Sequence, residues 1–234
     1  MPDLGSSPVG DVLIVTAALL ALLYLGLTAR PPSALRSLSK TLAVLLLAVA
    51  AWLGAGPLLL TLALGLCAVG DFCLSREGEG AFMAGVGAFA AGHLVYIFLF
   101  LGQGDSDFAR LIQLPQLVGV LVLAVAGLTM VWLLAPRAGA LKGPVLAYVP
   151  IILGMGLAAL TLPLGGGLTG LALVLPAAVA FMASDIVLAF ETFVLAEDHP
   201  ARRVTPYVVW PLYWGAQAGF LLAFLQGQCW IYIG

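Results

Sequence analysis

The amino-acid sequence predicts an all-α, polytopic membrane protein: a bundle of about eight transmembrane helices forming a single domain over residues 1–234. Three observations predict this fold class: the composition, the apolar segments and the placement of basic residues. Of the residues, 63% are hydrophobic and only 9% are charged, whereas a soluble domain carries about 25% charged residues. A core of this size cannot hide so much apolar surface, so lipid is the natural solvent. The net charge of -2 and the lack of a basic stripe argue against a nucleic-acid partner.

Eight apolar segments approach or exceed the roughly 20 residues that a membrane-spanning helix needs. The first segment has no basic stretch before it, so it is predicted to be a spanning helix and not a cleaved signal peptide. Turn and breaker residues separate the segments, and the short loops predict that consecutive helices are antiparallel neighbours. In order, the segments are 10–28, ended by Pro31-Pro32; 37–54, ended by Gly54 to Pro57; 57–75 and 80–101, separated by Gly78 to Gly80; 111–135, preceded by Gly102 to Gly104 and ended by Pro136; 144–162, followed by Gly165 to Gly167; 168–194, followed by Pro200; and 205–226.

The basic residues predict the orientation of the bundle. Eight of them lie in or beside the loops that follow segments 1, 3, 5 and 7, and only Arg110 lies on the other side. Because cytoplasmic loops are enriched in Lys and Arg, both termini are predicted to face outward. The expected location is an integral, multi-pass position in a membrane, the inner or plasma membrane if the cell is bacterial. The eight residues are Arg30, Arg36, Lys40, Arg76, Arg137, Lys142, Arg202 and Arg203.

Glycines on the third and fourth segments are expected to let these two helices approach closely. They are Gly65 and Gly70 on the third and Gly85, Gly87 and Gly92 on the fourth.

Four ionisable residues inside the apolar segments are the candidate functional residues, because such groups are costly in a bilayer and usually functional. With about 1.5 Å of rise per residue, Asp71 lies roughly 7 Å from the cytoplasmic end of its helix, and Asp185 is deeper by about 9 Å. Lys40 begins its helix at the same face, and His93 lies nearer the middle. This shared layer predicts one polar site in the cytoplasmic half of the membrane. Its polar companions are Tyr96, Ser184, Tyr213 and Gln217.

Two carboxylates and a lysine in one low-dielectric cavity perturb one another, so one aspartate is expected to be protonated while the other is ionised. That division supplies a general acid and a general base. Structural roles are the alternatives. Asp71 could pair with Arg76 or Lys40 at a helix end, Asp185 and His93 could bond neighbouring helices, and Lys40 could snorkel to the interface.

No metal or cofactor is expected. The chain has two histidines, one of them in a loop, which excludes a three-histidine zinc site; a carboxylate-bound magnesium stays an open alternative. The chain also lacks a phosphate-binding loop and a hydrolase nucleophile elbow.

The two aspartates also suggest a parallel repeat of four plus four helices. Each follows a small residue, Gly70 or Ser184, and precedes a leucine by three positions, on helices four apart with the same orientation. Such a repeat would bring both acids to a central interface.

The polar residues also follow a fixed order along the chain. They are Lys40; Ala68-Val69-Gly70-Asp71 with Phe82, Gly85, Phe89, His93 and Tyr96; Ser184-Asp185 with Ala189 and Phe193; and Tyr213 with Gln217. In this order and spacing the sequence resembles the YhhN family, from about Lys40 to Phe224.

The resemblance implies an activity. The characterised animal members of the family are lysoplasmalogenases with eight predicted membrane helices. They hydrolyse the vinyl ether bond of a lysoplasmalogen to a fatty aldehyde and glycerophosphoethanolamine or glycerophosphocholine. The implied partner is therefore a lysolipid that enters from the bilayer, and the reaction needs an acid, a nearby anion and a positioned water.

The resemblance suggests Asp71 and Asp185 as the acid–base pair, without deciding which is which. Lys40 is expected to bind the phosphate or to tune an aspartate. The expected substrate-binding residues are Lys40, His93, Tyr96, Ser184, Tyr213 and Gln217. Two other functions stay open: a proton-coupled transporter of a small solute, which buried acids also suit, and a non-catalytic lysolipid-binding protein.

Overall fold

A computed structural model describes residues 8–164 and 170–226 of the chain, and these ranges are helical throughout apart from their turns. They contain eight α-helices, four short 3-10 turns and no β-strand. The all-α prediction is therefore confirmed. The helices are α1 (Pro8–Leu27), α2 (Ala34–Leu53), α3 (Leu58–Leu74), α4 (Glu79–Leu101), α5 (Gln116–Leu134), α6 (Lys142–Leu160), α7 (Val174–Phe193) and α8 (Thr205–Gln226).

The helices have the length and the surface of membrane-spanning segments. Within the described ranges, seven are long and apolar enough to cross a bilayer, and α3 is shorter at 17 residues. Large apolar side chains point outward from the bundle: on α5, Val125 is 65% exposed, Leu128 73% and Trp132 75%. A large exposed apolar surface marks an interaction surface, and together with seven helices of spanning length it indicates a multi-pass membrane protein.

Each predicted segment corresponds to one α-helix, and the bounds agree within three residues except at the starts of the fifth and seventh helices. The fifth was predicted from residue 111, but α5 begins at Gln116, because Phe108–Ile112 is a 3-10 turn and Pro115 precedes the helix; proline favours a helix start over a helix interior. The seventh was predicted from residue 168. Residues 168 and 169, and the predicted turn at Gly165 to Gly167, lie outside the described residues. Gly170–Leu173 is a 3-10 turn that leads into α7.

Seven helices pack around the interior, and α5 packs mainly on α6 and reaches the cavity with its C-terminal part. Helices α1 to α4 pack in sequence, α4 then packs on α6, and α8 packs on α7, α2 and α1. The expectation that all consecutive helices are neighbours is thus wrong at α4 and α5, where α5 packs on the outside of α6. The connection over residues 102–115 is long enough to carry the chain past α6. Arg110 fastens it by donating hydrogen bonds to the carbonyl oxygens of Asp105 and, at 2.6 Å, of Thr161.

Close packing of α3 on α4 depends on three of the five glycines. A Cβ atom added at Gly70 or Gly85 would lie 2.7 Å from a facing side chain, and one at Gly92 would lie 3.0 Å from one. An added Cβ at Gly65 or Gly87 would meet nothing within 4 Å. The prediction that these glycines permit close approach is confirmed for three and is wrong for the other two.

The end of α7 nearest the basic loops is held by one arginine. Arg202 Nη2 donates to the carbonyl oxygens of Glu191 at 2.6 Å and Leu195 at 3.0 Å, and its Nε donates to that of Ala196 at 3.0 Å. Glu191 is one of the last residues of α7, whose carbonyls have no intrahelical partner, and Leu195 and Ala196 lie in the turn that follows the helix. The contact fixes the helix that carries Asp185.

Candidate active site

A cavity of about 520 Å³ opens among the helices at one end of the bundle. Each odd-numbered helix lines it with its C-terminal part and each even-numbered helix with its N-terminal part. The cavity therefore lies at the end that carries the connections over residues 28–33, 75–78, 135–141 and 194–204, where most of the basic residues are.

Asp71 lies in the wall of this cavity and is completely buried. Its Oδ1 is 3.0 Å from Lys40 Nζ, and its Oδ2 accepts a hydrogen bond of 2.7 Å from the hydroxyl of Tyr213. Helices α2 and α8 thus supply the partners of a residue on α3. An ammonium group has only donors, so a carboxylate held by an ammonium and a phenol is in its ionised, accepting form.

Asp185 lies on α7 and has a different set of partners. Its Oδ2 is 3.4 Å from His93 Nε2 and accepts a hydrogen bond of 3.1 Å from the hydroxyl of Tyr148. His93 Nδ1 is 2.8 Å from the carbonyl oxygen of Phe89. Because a carbonyl only accepts, this contact assigns a hydrogen to Nδ1. In a neutral ring Nε2 is then an acceptor. A proton on Asp185 Oδ2 would therefore face an acceptor, because His93 Nε2 lies 3.4 Å away and has no hydrogen-bond partner in the described residues.

Aromatic rings fill the space beside both acids. Phe181 is buried, with its ring centroid 4.3 Å from that of His93 and 5.3 Å from that of Tyr213. Phe89 packs edge-on against Tyr213 at 5.6 Å. These rings leave the polar groups in a surrounding of low dielectric constant, where charge interactions are stronger than in water.

Five of the eight predicted site residues line the cavity: Lys40, Asp71, Ser184, Asp185 and Tyr213. The hydroxyl of Ser184, however, donates to the carbonyl oxygen of Phe181 in its own helix, at 2.8 Å. Lys40 is not a snorkelling residue, because its ammonium is paired with Asp71. The alternative partner for Asp71, Arg76, instead places its guanidinium 4.5 Å from the ring centroid of Phe72.

The other three predicted residues lie behind the cavity wall. His93 is buried and touches the site through Asp185. Tyr96 and Gln217 are fully buried, and the hydroxyl of Tyr96 donates to Gln217 Oε1 at 2.5 Å. This bond joins α4 to α8 away from the cavity lining. The two side chains therefore connect helices and do not face the cavity, and their expected role in substrate binding stays a prediction.

Tyr148 and Arg36 are two of the polar lining residues that were not predicted as site residues. One feature of the sequence could have indicated Tyr148 as a site residue. Counted from the helix starts at Ala34 and Lys142, Lys40 and Tyr148 occupy the same position on α2 and α6, the corresponding helices of the suggested repeat. Arg36 was counted only as a charge that sets orientation.

The arrangement can perform acid–base chemistry on an amphiphilic molecule. An ionised carboxylate, Asp71, and a second carboxyl group, Asp185, which is backed by His93, line one cavity whose surface is mostly apolar. In the described ranges, no group of three histidine, cysteine or acidic side chains comes together as a metal site.

These features define an integral membrane protein of helices with an acidic, aromatic-walled cavity at its basic end. The chain belongs to the YhhN family: the family model matches residues 35–224, which is most of the sequence and includes both aspartates. The resemblance noted from the polar residues is thereby confirmed. Comparison with curated proteins and with solved structures finds no match.

Proposed function

We propose that this protein is a lysoplasmalogenase. It would hydrolyse the vinyl ether bond of lysoplasmenylethanolamine or lysoplasmenylcholine to a fatty aldehyde and glycerophosphoethanolamine or glycerophosphocholine. The observation that carries the proposal is the placement of Asp71 and Asp185 in one cavity with different partners. Membership of the YhhN family supports it.

The partners divide the two catalytic roles. The Asp185–His93 pair gives its shared proton to the vinyl carbon remote from the ether oxygen, which forms a C–H bond and an oxocarbenium ion. The ionised Asp71 stabilises this cation and accepts a proton from the water that attacks it. The hemiacetal then collapses to the aldehyde: protonated Asp71 gives its proton to the departing alcohol oxygen, and the hydroxyl proton of the hemiacetal restores the Asp185–His93 pair. One water is consumed in each turnover.

The walls of the cavity suit a single hydrocarbon chain. A small apolar pocket of about 40 Å³ between α5, α6 and α7 adjoins the cavity and shares four of its lining residues, Met130, Val149, Ile152 and Ile186. Apolar walls with a few convergent polar groups are typical of sites for small amphiphilic ligands. In this proposal the alkenyl chain lies toward α5 and the headgroup toward the basic loops.

We also propose that all eight helices span the membrane, with both termini outside. Helix α3 has 17 residues, which at 1.5 Å per residue reach about 26 Å, close to the thickness of the hydrocarbon core. The basic connections can lie on one side of the membrane only if α3 crosses it.

The partners of the aspartates support the parallel four-plus-four repeat. Asp71 on α3 has partners on α2 and α8, and Asp185 on α7 has partners on α6 and α4. An exchange of the first four helices with the last four converts one set into the other. The packing of α2 on α8 and of α4 on α6 is related by the same exchange.

The proposal is tested by incubating purified protein in detergent with lysoplasmenylethanolamine and measuring the aldehyde released. Asp71→Asn and Asp185→Asn should each lower the rate by orders of magnitude, because each removes one half of the acid–base pair. The matched control is Glu79→Gln, which neutralises an exposed carboxylate at the same end of the bundle and should leave the rate unchanged. Full activity in both aspartate variants, with normal elution on size exclusion, would exclude the pair from catalysis.

A proton-coupled transporter and a non-catalytic lysolipid-binding protein are the alternatives. In the described residues, α6 and α8 continue through Pro150 and Pro211 without a break, unlike the broken helices typical of many transporters. Solute uptake into proteoliposomes without aldehyde release would favour the transporter. Tight binding of lysolipid without turnover would favour the binding protein.

A further inference from the structure

We propose that Arg36 forms an anion subsite at the mouth of the cavity, which binds the phosphate group of the amphiphile whose chain occupies the interior. Three cations line the cavity: Arg36, Lys40 and Arg76. Their surroundings differ, and only those of Arg36 suit a phosphate.

Lys40 is already engaged. Its ammonium is 3.0 Å from Asp71, a carboxylate with a side-chain exposure of 1%. Moving the ammonium to a phosphate would leave that carboxylate buried with the Tyr213 hydroxyl as its remaining partner, which is costly. The phosphate contact expected of Lys40 from the sequence is therefore better assigned to another cation.

Arg36 has a guanidinium that the described residues leave without an acidic partner. No carboxylate there lies within 4.0 Å of it, and its buried Nε has no hydrogen-bond partner in those residues. The guanidinium carbon lies 6.0 Å from the centroid of the Tyr24 ring. A guanidinium offers five donors in a planar fork that matches phosphate oxygens.

A cation at the position of Arg36 destabilises the start of α2 unless an anion is bound there. It lies in the first turn of α2, where Ser33 caps the helix and no acidic residue is present. The partial positive charge of a helix N-terminus repels a cation there. A bound anion would relieve both the repulsion and the unsatisfied Nε.

The other charged residues that line the cavity outside the Lys40–Asp71 pair do not form an anion site with Arg36. Arg76 is exposed, and its guanidinium lies over Phe72. Two further carboxylates, Glu77 and Glu191, also line the cavity, but neither is within ion-pair distance of Arg36 in the described residues.

The depth of Arg36 fits a phosphate that is joined by glycerol to the reacting bond. Arg36 precedes Lys40 by one helical turn, a rise of about 6 Å toward the basic end. Long side chains on a helix also lean toward its N-terminus. A phosphate at Arg36 therefore places a three-carbon glycerol unit beside the aspartates and the chain beyond them. The ligand chemistry is a phosphate ester, and its source is either a lysophospholipid or a free phosphate.

The kinetic test rests on the proposed function and compares two substrates that release the same aldehyde. One is lysoplasmenylethanolamine, and the other is the matching 1-alkenylglycerol, which has no phosphate. Arg36→Gln should raise KM at least tenfold for the first and change kcat/KM for the second less than twofold. Arg137→Gln is the control: it removes a cation at the same end of the bundle that does not line the cavity. An equal loss on both substrates, or no loss on either, would overturn the subsite.

A binding test does not depend on hydrolysis. A saturated 1-alkyl lysophospholipid, which has no vinyl ether bond, is titrated into wild-type protein and Arg36→Gln in detergent, beside the matching 1-alkylglycerol. The wild type should bind the phosphate-bearing lipid at least tenfold more tightly than the variant, with equal binding of the alkylglycerol. The lipid source is supported if inorganic phosphate at equal concentration does not compete, and free phosphate is the ligand if it competes fully.

Equal binding of the phospholipid by the wild type and the variant would overturn the anion subsite even if the protein hydrolyses vinyl ethers. If the protein releases no aldehyde but Arg36→Gln weakens binding of the phospholipid and not of the alkylglycerol, the subsite is supported and the proposed function is overturned. The two failures are thus distinguishable.

Discussion

Tyr148 connects the two members of the proton-bearing pair. Its hydroxyl donates to Asp185 Oδ2 at 3.1 Å and is 3.4 Å from His93 Nδ1. Removing the hydroxyl would leave the ring in place, since Tyr148 packs edge-on against His93 with centroids 5.5 Å apart. The hydroxyl is therefore inferred to hold the carboxyl group in position for proton transfer.

We predict that Tyr148→Phe lowers kcat about tenfold, the value of one hydrogen bond of roughly 1.4 kcal/mol, with little change in KM. The measurement is steady-state aldehyde release, with Tyr207→Phe as the matched control because Tyr207 is 46% exposed and does not line the cavity. The pH dependence of kcat should also differ between the two variants, which a purely structural hydroxyl would not produce. An unchanged kcat for Tyr148→Phe would show that the bond does not position the acid.

Some of the site could be predicted from the sequence and some could not, for a physical reason. Asp71, Asp185 and Lys40 were recognisable because charge inside an apolar segment is costly and needs an explanation. Tyr148 and Arg36 carry no such signal, since tyrosines are common in membrane helices and arginines are expected in cytoplasmic loops. Which side of a helix faces a cavity is decided by packing between helices, which a single sequence does not display.

At the scale of the elements, the contact between α3 and α4 sets the position of Asp71. Gly70, the residue before it, lies against the ring of Phe89. That ring is 8% exposed and packs against Tyr213, the hydrogen-bond partner of Asp71. The face of α3 that carries Gly70 therefore contacts the site through the ring of Phe89.

We predict that Gly70→Ala destabilises the protein by about 1–3 kcal/mol, as expected for overpacking of a filled interface, and also lowers activity by displacing Phe89. Gly65→Ala on the same helix is the control; its added methyl group meets nothing within 4 Å, and the better helix propensity of alanine should leave stability equal or slightly higher. Thermal unfolding of both variants in the same detergent would measure the difference. Equal melting temperatures would mean that α3 and α4 can separate without penalty.

The existence of the helices was easier to predict than their arrangement. Apolar length and breaker residues located one α-helix in each predicted segment, because a bilayer demands continuous apolar helices. The place of α5 outside α6 was missed, because nothing in an apolar segment states which neighbour it packs against. The connection that leads to α5 contains Phe108–Ile112, a largely apolar stretch. The end of this stretch was included in the predicted helix, which placed the start of the helix too early.

At the scale of the whole molecule, the proposed orientation places the cavity on the cytoplasmic side, with the basic connections. We predict that a cysteine introduced by Ala140→Cys reacts with a membrane-impermeant thiol reagent only from the cytoplasmic side, and that Gly104→Cys reacts only from the opposite side. Both positions are exposed and lie in connections at opposite ends of the bundle. The experiment uses intact cells and inverted vesicles in a background without the native cysteines. Labelling of both positions from one side would contradict the proposed orientation.

The partners of the two acids come from both halves of the chain. Tyr213, on the last helix, bonds Asp71 of the first half, and His93 of the first half contacts Asp185 of the second. During biosynthesis the earlier carboxylate thus enters the bilayer before its phenol exists, with Lys40 alone to neutralise it. In the proposed enzyme, a nascent chain would stay inert until α8 left the ribosome and was inserted, so an incompletely made protein could not hydrolyse the lipids around it.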